Sequence, residues 1–355
     1  MLAGVTWLQL LGGLVLLVAG GEFLVRGASS LAARLGLSSL VIGLTVVAFG
    51  TSAPEVAVSV GATLEGKGAL AVGNVVGSNV FNVLFILGAS ALLAPLAVSR
   101  QILRVDVPIL VAVSALGLVM ALDGRYGWAD SLVMLAVFAA YVIFTVREGK
   151  RQASADETTE VRSSTLVALG LVLGGLVLLV LGARFFVAGA VDLARLLGLS
   201  ETVIGLTIVA AGTSLPEVAT SLMAAYRGER DFAVGYVVGS NIFYLLLILS
   251  VSVMAGGGPL EVPASILRFD LPVMLAAAVA ILPIALVRGH LARWEGAFFL
   301  AAYVAYVAYL VLDSTGHDAL PAFSLAMLEF VLPLVVVTLG VLLVQGLRRT
   351  DSERR

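Results

Sequence analysis

The sequence predicts an all-α polytopic membrane protein: ten transmembrane helices in two inverted repeats of five, followed by an eleventh C-terminal helix. Three observations carry this. Of 355 residues 60% are hydrophobic and only 12% charged, with a mean hydropathy of +1.09, far outside the usage of soluble globular chains. Apolar stretches of about 20 residues, the length a spanning helix needs, recur between short breaks rich in charge, Gly and Pro. Two segments of the first half also return in the second at a constant offset. GLTVVAFGTSAPE (Gly43 to Glu55) comes back as GLTIVAAGTSLPE (Gly205 to Glu217), identical at 10 of 13 positions and 162 residues on, and GNVVGSNVFN (Gly73 to Asn82) comes back as GYVVGSNIFY (Gly235 to Tyr244).

The apolar stretches lie near 4–25, 40–64, 69–95, 104–122 and 126–146, then near 165–187, 202–225, 232–255, 268–287 and 291–312. Five is odd, so a second copy of the unit enters the membrane from the opposite side and the halves are inverted. This divides the chain into a first repeat (1–147), a linker (148–164), a second repeat (165–313) and a C-terminal segment (314–355) with a further apolar stretch near 320–346. The first stretch has no basic residue before Arg26 and reads as a retained spanning helix, not a cleaved signal. With the N-terminus outside, 16 of the 21 basic residues fall in inside loops or the tail, leaving Lys67, Arg125, Arg184, Arg195 and Arg268 outside. That bias predicts N-out, C-in insertion in the plasma (inner) membrane. Absent cysteine excludes disulfides and thiolate metal sites. A net charge of −2 with no basic block argues against a nucleic-acid partner, so the expected surroundings are the lipid bilayer.

Helix 1 ends in GGEFLVRGASSLAARLGLSS, which resembles GARFFVAGAVDLARLLGLSE at the same offset, so the repeat extends beyond its signatures. Small residues there suit close helix packing in lipid. Glu22 has Arg184 in its place in the second copy and reads as a helix-end charge. In helix 2, Pro54 lacks an N–H and would clash with the carbonyl of Gly50, predicting a break at Gly50-Thr51-Ser52. Ser52, Glu55 and Ser59 then share a face beside the break, and helix 7 repeats the arrangement with Gly212, Thr213, Ser214, Pro216, Glu217 and Ser221. Helix 3 supplies Asn74, Ser78 and Asn82 at i, i+4 and i+8, and helix 8 supplies Tyr236, Ser240 and Tyr244 in the corresponding places. An ionisable group in hydrocarbon costs at least about 2.5 kcal/mol, so a glutamate repeated inside matching Gly-Thr-Ser-x-Pro-Glu frames marks a functional site at mid-depth.

The chemistry that suits such a cluster is cation binding. Hard cations such as Ca²⁺ take six to eight oxygens, and two carboxylates balance a divalent charge; Na⁺ uses the same ligand type more weakly. Elsewhere the acids read as solvated or interfacial. Asp156, Glu157 and Glu160 lie in the charged linker without EF-hand spacing. RVDVP (Arg104 to Pro108) and RFDLP (Arg268 to Pro272) read as matched membrane-entry caps with interfacial Asp106 and Asp270, and Glu329 lies early in the extra helix.

At these residues the chain resembles the cation/calcium exchanger superfamily and is most similar to prokaryotic sodium/calcium exchangers, a likeness that covers nearly the whole chain to about residue 313. The resemblance implies a core of helices 2, 3, 7 and 8 around the ions, with helices 1 and 6 sliding against it to give alternating access. It implies ion ligands at Thr51, Ser52, Glu55, Ser78 and Asn82 in the first half and at Thr213, Ser214, Glu217 and Ser240 in the second. Position 244, where the family carries Asp or Asn, is Tyr here. The implied activity is antiport that extrudes Ca²⁺ in exchange for Na⁺. The ions are cargo, and no cofactor or enzymatic step is implied. Proton-coupled exchange in the same fold is the alternative, although the Gly-Asn-x-x-Glu-His type motif of that branch is absent; a passive cation channel ranks lower. An intramembrane hydrolase would need a general base, and His290 and His317 both fall in expected loops.

Overall fold

The computed structural model describes residues 2–35, 37, 39–153, 164–197, 210–333 and 340. The start of the expected seventh helix (202–209), most of the linker and most of the C-terminal stretch beyond 333 lie outside the described residues. Among the described residues, eight helices are long and apolar enough to cross a membrane, and one bent pair makes a ninth span.

The first span, α1 (Leu2–Leu35), continues a full ten residues past the expected end. Glu22 therefore does not end a helix, and that expectation is corrected. Its charge is tolerated in mid-helix because Arg26, one turn on, pairs with it at 2.6 Å and Arg227 reaches it from another helix. The equivalent helix of the second half, α7 (Thr165–Leu196), also outruns its expected end at 187 and is opened by Ser164, whose hydroxyl accepts from the amide of Val167. The two helices pack antiparallel, as opposite insertion of two halves requires. Gly13, Gly20 and Gly27 on α1 meet Gly182, Gly175 and Ala168 on α7, and a Cβ on any of these α1 glycines would sit 2.5–2.9 Å from partner backbone or side chain. Only glycine permits this approach, the small-residue packing that lipid favours.

The second span is broken as Pro54 dictates. Its first part, α2 (Gly43–Thr51), and second part, α3 (Ala53–Leu64), meet at 52°, with Ser52 at φ −77°, ψ 5° between them. Of its counterpart, the turn Ala210–Gly212 and α8 (Leu215–Tyr226) are described, with Ser214 in a similar conformation (φ −89°, ψ 9°). The centre is formed by α4 (Gly68–Leu93) and α9 (Arg230–Gly256), 78% and 83% buried against 33% for α1 and for α7. Outside lie α5 (Ile102–Asp123), α6 (Trp128–Ala153), α10 (Leu271–Arg288) and α11 (Arg293–Ser314). The extra segment begins with α12 (Leu320–Ala326) and a π turn, on which Glu329 is exposed.

Two irregularities recur in matched places. Asn82–Leu87 in α4 and Tyr244–Ile248 in α9 are π-helical, as are Ile102–Asp106 and Ile266–Asp270 at the starts of α5 and before α10. A π turn inserts a residue and re-aims the side chains around it, commonly at functional sites. Asp106 and Asp270, expected to face the interface, instead turn toward tyrosines of the following helix. Asp106 is fully buried with the Tyr141 hydroxyl at 3.5 Å, and half-buried Asp270 accepts from Tyr306 at 2.8 Å. A carboxylate next to lipid is stabilised by such a donor. Two short antiparallel ladders tie the halves together: β1 (Leu96–Ala97) with β4 (His290–Leu291), and β2 (Arg125–Tyr126) with β3 (Leu260–Glu261).

Candidate functional site

The site is built from two helix breaks and the two central helices. In α3, Pro54 stands in the first turn, so Glu55 leaves the break with its side chain turned inward and only 1% exposed. In α8, Pro216 places Glu217 in the same way, also 1% exposed. The twelve residues of α3 rise about 18 Å, which puts the break, and with it the carboxylates, near the middle of a span.

The hydroxyls of each break lie against the glutamate of the other. Ser214 donates to Glu55 Oε1 at 3.1 Å, with Thr213 beside it, while Thr51 and Ser52 lie beside Glu217. Tyr244, fully buried on α9, donates its phenolic proton to Glu217 Oε1 at 3.0 Å. The second oxygen of each carboxylate, Oε2 of Glu55 and of Glu217, has no hydrogen-bond partner among the described residues. Two buried carboxylate oxygens, one from each half, are thus left without donors among the described residues. In a medium of low dielectric, two neighbouring carboxylates repel strongly unless positive charge sits with them.

The central helices add amides and hydroxyls. Asn82 donates from Nδ2 to Asn241 Oδ1 at 2.9 Å, and Asn241 donates to the carbonyl of Asn79 at 3.2 Å. The amide of Asn74 reaches Ser59 at 3.0 Å, and the Tyr236 hydroxyl donates to Thr51 Oγ1 at 2.7 Å. Ser78 is 5% and Ser240 0% exposed, and Asn82 Oδ1, Thr213 Oγ1, Ser221 Oγ and Ser240 Oγ are buried oxygens with no partner among the described residues. Ser52 and Thr51 return their protons to backbone carbonyls, of Ala48 at 2.6 Å and of Val47 at 3.0 Å, which leaves oxygen lone pairs facing the interior.

Thr51, Ser52, Glu55, Thr213, Ser214, Glu217 and Tyr244 therefore gather around the two carboxylates, Asn82, Ser78 and Ser240 are buried on the two central helices, and Glu22, Asp106, Asp270 and Glu329 stand apart. Tyr236, bonded to Thr51, Asn241, bonded to Asn82, and Asn79, bonded in turn to Asn241, are added although none was expected as a ligand. The GSN signature, present at both copies, contained the two asparagines, and Tyr236 stands opposite Asn74 in the repeat.

A family model described as sodium/calcium exchanger protein matches residues 5–147 and 167–312. The chain belongs to that family. This exchanger is 39% identical to the protein CaxA of Alkalimonas amylolytica over 85% of this chain and 97% of that one. It is 34% identical to the sodium/calcium exchanger MaX1 of Methanosarcina acetivorans over 86% and 98% respectively. Its fold is similar to that of the sodium-calcium exchanger NCX_Mj, solved after a soak without Na⁺ and Ca²⁺, with a TM-score of 0.76, 32% identity and coverage of 86% of this chain and 99% of that one. The family covers both halves, so the two breaks and the two central helices all fall within matched sequence.

Proposed function

We propose that the chain is a secondary active antiporter that exchanges Na⁺ for Ca²⁺ and extrudes Ca²⁺ by alternating access. The observation that carries this reading is the pair of buried glutamates, one from each helix break, each flanked by hydroxyls of the opposite break and each with one buried carboxylate oxygen that has no donor among the described residues. Two charges balance a divalent cation, and hydroxyl, amide and carbonyl oxygens complete the six to eight ligands that Ca²⁺ takes. Thr51, Ser52, Glu55, Ser78 and Asn82 would contribute from the first half, and Thr213, Ser214, Glu217, Ser240 and Tyr244 from the second. When Ca²⁺ leaves, Na⁺ ions enter the same oxygens, so that neither half of the cycle leaves the carboxylates uncompensated.

Residues 1–147 and 165–313 are the inverted units on this reading, joined by the cytoplasmic linker 148–164, with 314–355 as an added helix and basic tail. The N-terminus faces outside and the C-terminus the cytoplasm of a plasma (inner) membrane, supported by the distribution of Lys and Arg among the loops. A reporter fused after Arg355 is expected in the cytoplasm and one before Trp7 outside. The function is tested by isotopic Ca²⁺ uptake into sealed vesicles holding the full chain. Uptake is expected when the interior is loaded with Na⁺ and diluted into Na⁺-free medium. Uptake that ignores the Na⁺ gradient would overturn the reading.

A further inference from the structure

The charges at the helix ends of the two halves are related in a way that ion coordination does not require. Glu65 caps the C-terminus of α3 and Arg227 that of α8, positions 162 residues apart in the repeat. Each is followed by a left-handed glycine (Gly66, φ +74°; Gly228, φ +81°) and then by a residue of opposite sign, so Glu65-Gly66-Lys67 becomes Arg227-Gly228-Glu229. On the long helices the acid Glu22 of α1 becomes the base Arg184 of α7 at the same offset. Both members of the facing pair have been inverted together, which keeps each pair attractive.

The structure holds one of these pairs closed. Arg227 grips Glu22 with two guanidinium nitrogens, Nε and Nη2, while Arg26 holds the same carboxylate at 2.6 Å. Beside them Ser29 donates to Glu229 at 3.5 Å. At the equivalent place in the other half the pair is not made. Glu65 is bonded to its neighbour Lys67 at 2.7 Å with both side chains nearly two-thirds exposed, and Arg184 is exposed with no acid partner among the described residues.

We propose that Glu22–Arg227 and Arg184–Glu65 are alternating latches: each joins one long helix to the end of one broken helix, and closing one end of the exchanger opens the other. The geometry supplies the coupling. The glycine seam locks α1 and α7 into one body, and its register, which sets Gly175 level with Glu22 and Arg184 level with Gly13, places Arg184 about 13 Å from Glu22 along the shared axis at 1.5 Å per residue. A slide of that body along its axis therefore brings one pair together as it separates the other. The four residues position the moving body without touching the ions, and the conformation described here is the one latched at the end bearing Arg227. This inference rests on the alternating-access reading above, but its test reads accessibility and not flux, so that failure of the latch and failure of Na⁺/Ca²⁺ exchange are distinguishable.

The chain has no cysteine, so single reporters are clean. Ser221→Cys lies between Glu217 and Arg227, and Ser59→Cys between Glu55 and Glu65; both native serines are 0% exposed. Full-length protein in sealed vesicles is treated with a membrane-impermeant maleimide from one face at a time. Glu22→Gln is expected to raise labelling of Ser221→Cys from the Arg227 face about five-fold, the shift that loss of a partly buried ion pair gives, and to lower labelling of Ser59→Cys from the opposite face. Glu65→Gln should do the reverse. Exchanging the charges, Glu22→Arg with Arg227→Glu, should return both rates to those of the parent. Rates that do not change, rates that rise at both faces with either variant, or a charge exchange that fails to restore them would overturn the proposal.

Discussion

The two halves share a frame and differ in what surrounds their carboxylates. In both, a proline stands in the first turn after the break, a glutamate follows it and a central helix carries a Gly-Ser-Asn signature. Glu55, however, takes its hydrogen bond from Ser214 of the other half, whereas Glu217 takes one from Tyr244 of its own. Where α4 presents the compact amides of Asn74 and Asn82, α9 presents the phenols of Tyr236 and Tyr244. The charge that a divalent ion demands is thus kept in duplicate, while the neutral oxygens are not. A phenol spends its proton on the carboxylate and offers one bulky oxygen, so the second half has fewer small ligands for the coupling ion.

The largest expected effect tests the part that is duplicated. Glu55→Gln and Glu217→Gln each remove one of two charges in a buried site, and each should lower Na⁺-driven Ca²⁺ flux at least about 100-fold in protein whose thermal unfolding remains cooperative. If one variant kept its flux, the halves would not be equivalent even in charge. The next effect concerns the seam where the halves are most alike. Gly20→Val and Gly182→Val both force a side chain onto partner backbone at 2.8 Å, and each should destabilise by about 1–3 kcal/mol. Thermal unfolding of the two variants should agree; a clear inequality would show that α1 and α7 do not carry the contact equally.

The tyrosine sharpens the comparison where the halves diverge. Tyr244→Asn or Tyr244→Asp should change the steepness of the Na⁺ dependence of flux several-fold more than the apparent Ca²⁺ affinity, since the glutamates dominate binding of the divalent ion. Superimposable Na⁺ curves would remove Tyr244 from the ion path. The smallest effect is expected at the outer amide. Asn74→Ala leaves the Ser59 hydroxyl without its donor and should cost about 1 kcal/mol, whereas Tyr236→Phe leaves Thr51 still bonded to the Val47 carbonyl and should cost less.

What was legible in the sequence was local or repeated. Pro54 and Pro216 foretold the breaks because a missing N–H acts wherever the chain goes. The glutamates stood out because hydrocarbon penalises them and the 162-residue offset showed them twice. What was hidden depended on a partner from far along the chain. Glu22 looked terminal because its neutralising Arg227 is 205 residues away. Asn241 was not singled out within the second signature because its partners, Asn82 and Asn79, lie 159 and 162 residues away. Asp106 looked interfacial because Tyr141, 35 residues on, could not be assigned to it by spacing. The two short ladders have the same origin, since register between distant segments decides them.

Equilibrium Ca²⁺ binding to the solubilised full chain, measured with isotopic Ca²⁺ while Na⁺ is raised at constant ionic strength, tests most directly whether both ions use the one buried cluster. Bound Ca²⁺ is expected to fall steeply and completely as Na⁺ rises, and Glu55→Gln and Glu217→Gln should each bind none at the same concentration. Ca²⁺ that stays bound at saturating Na⁺, or that binds undiminished to either variant, would contradict a shared site between the two helix breaks.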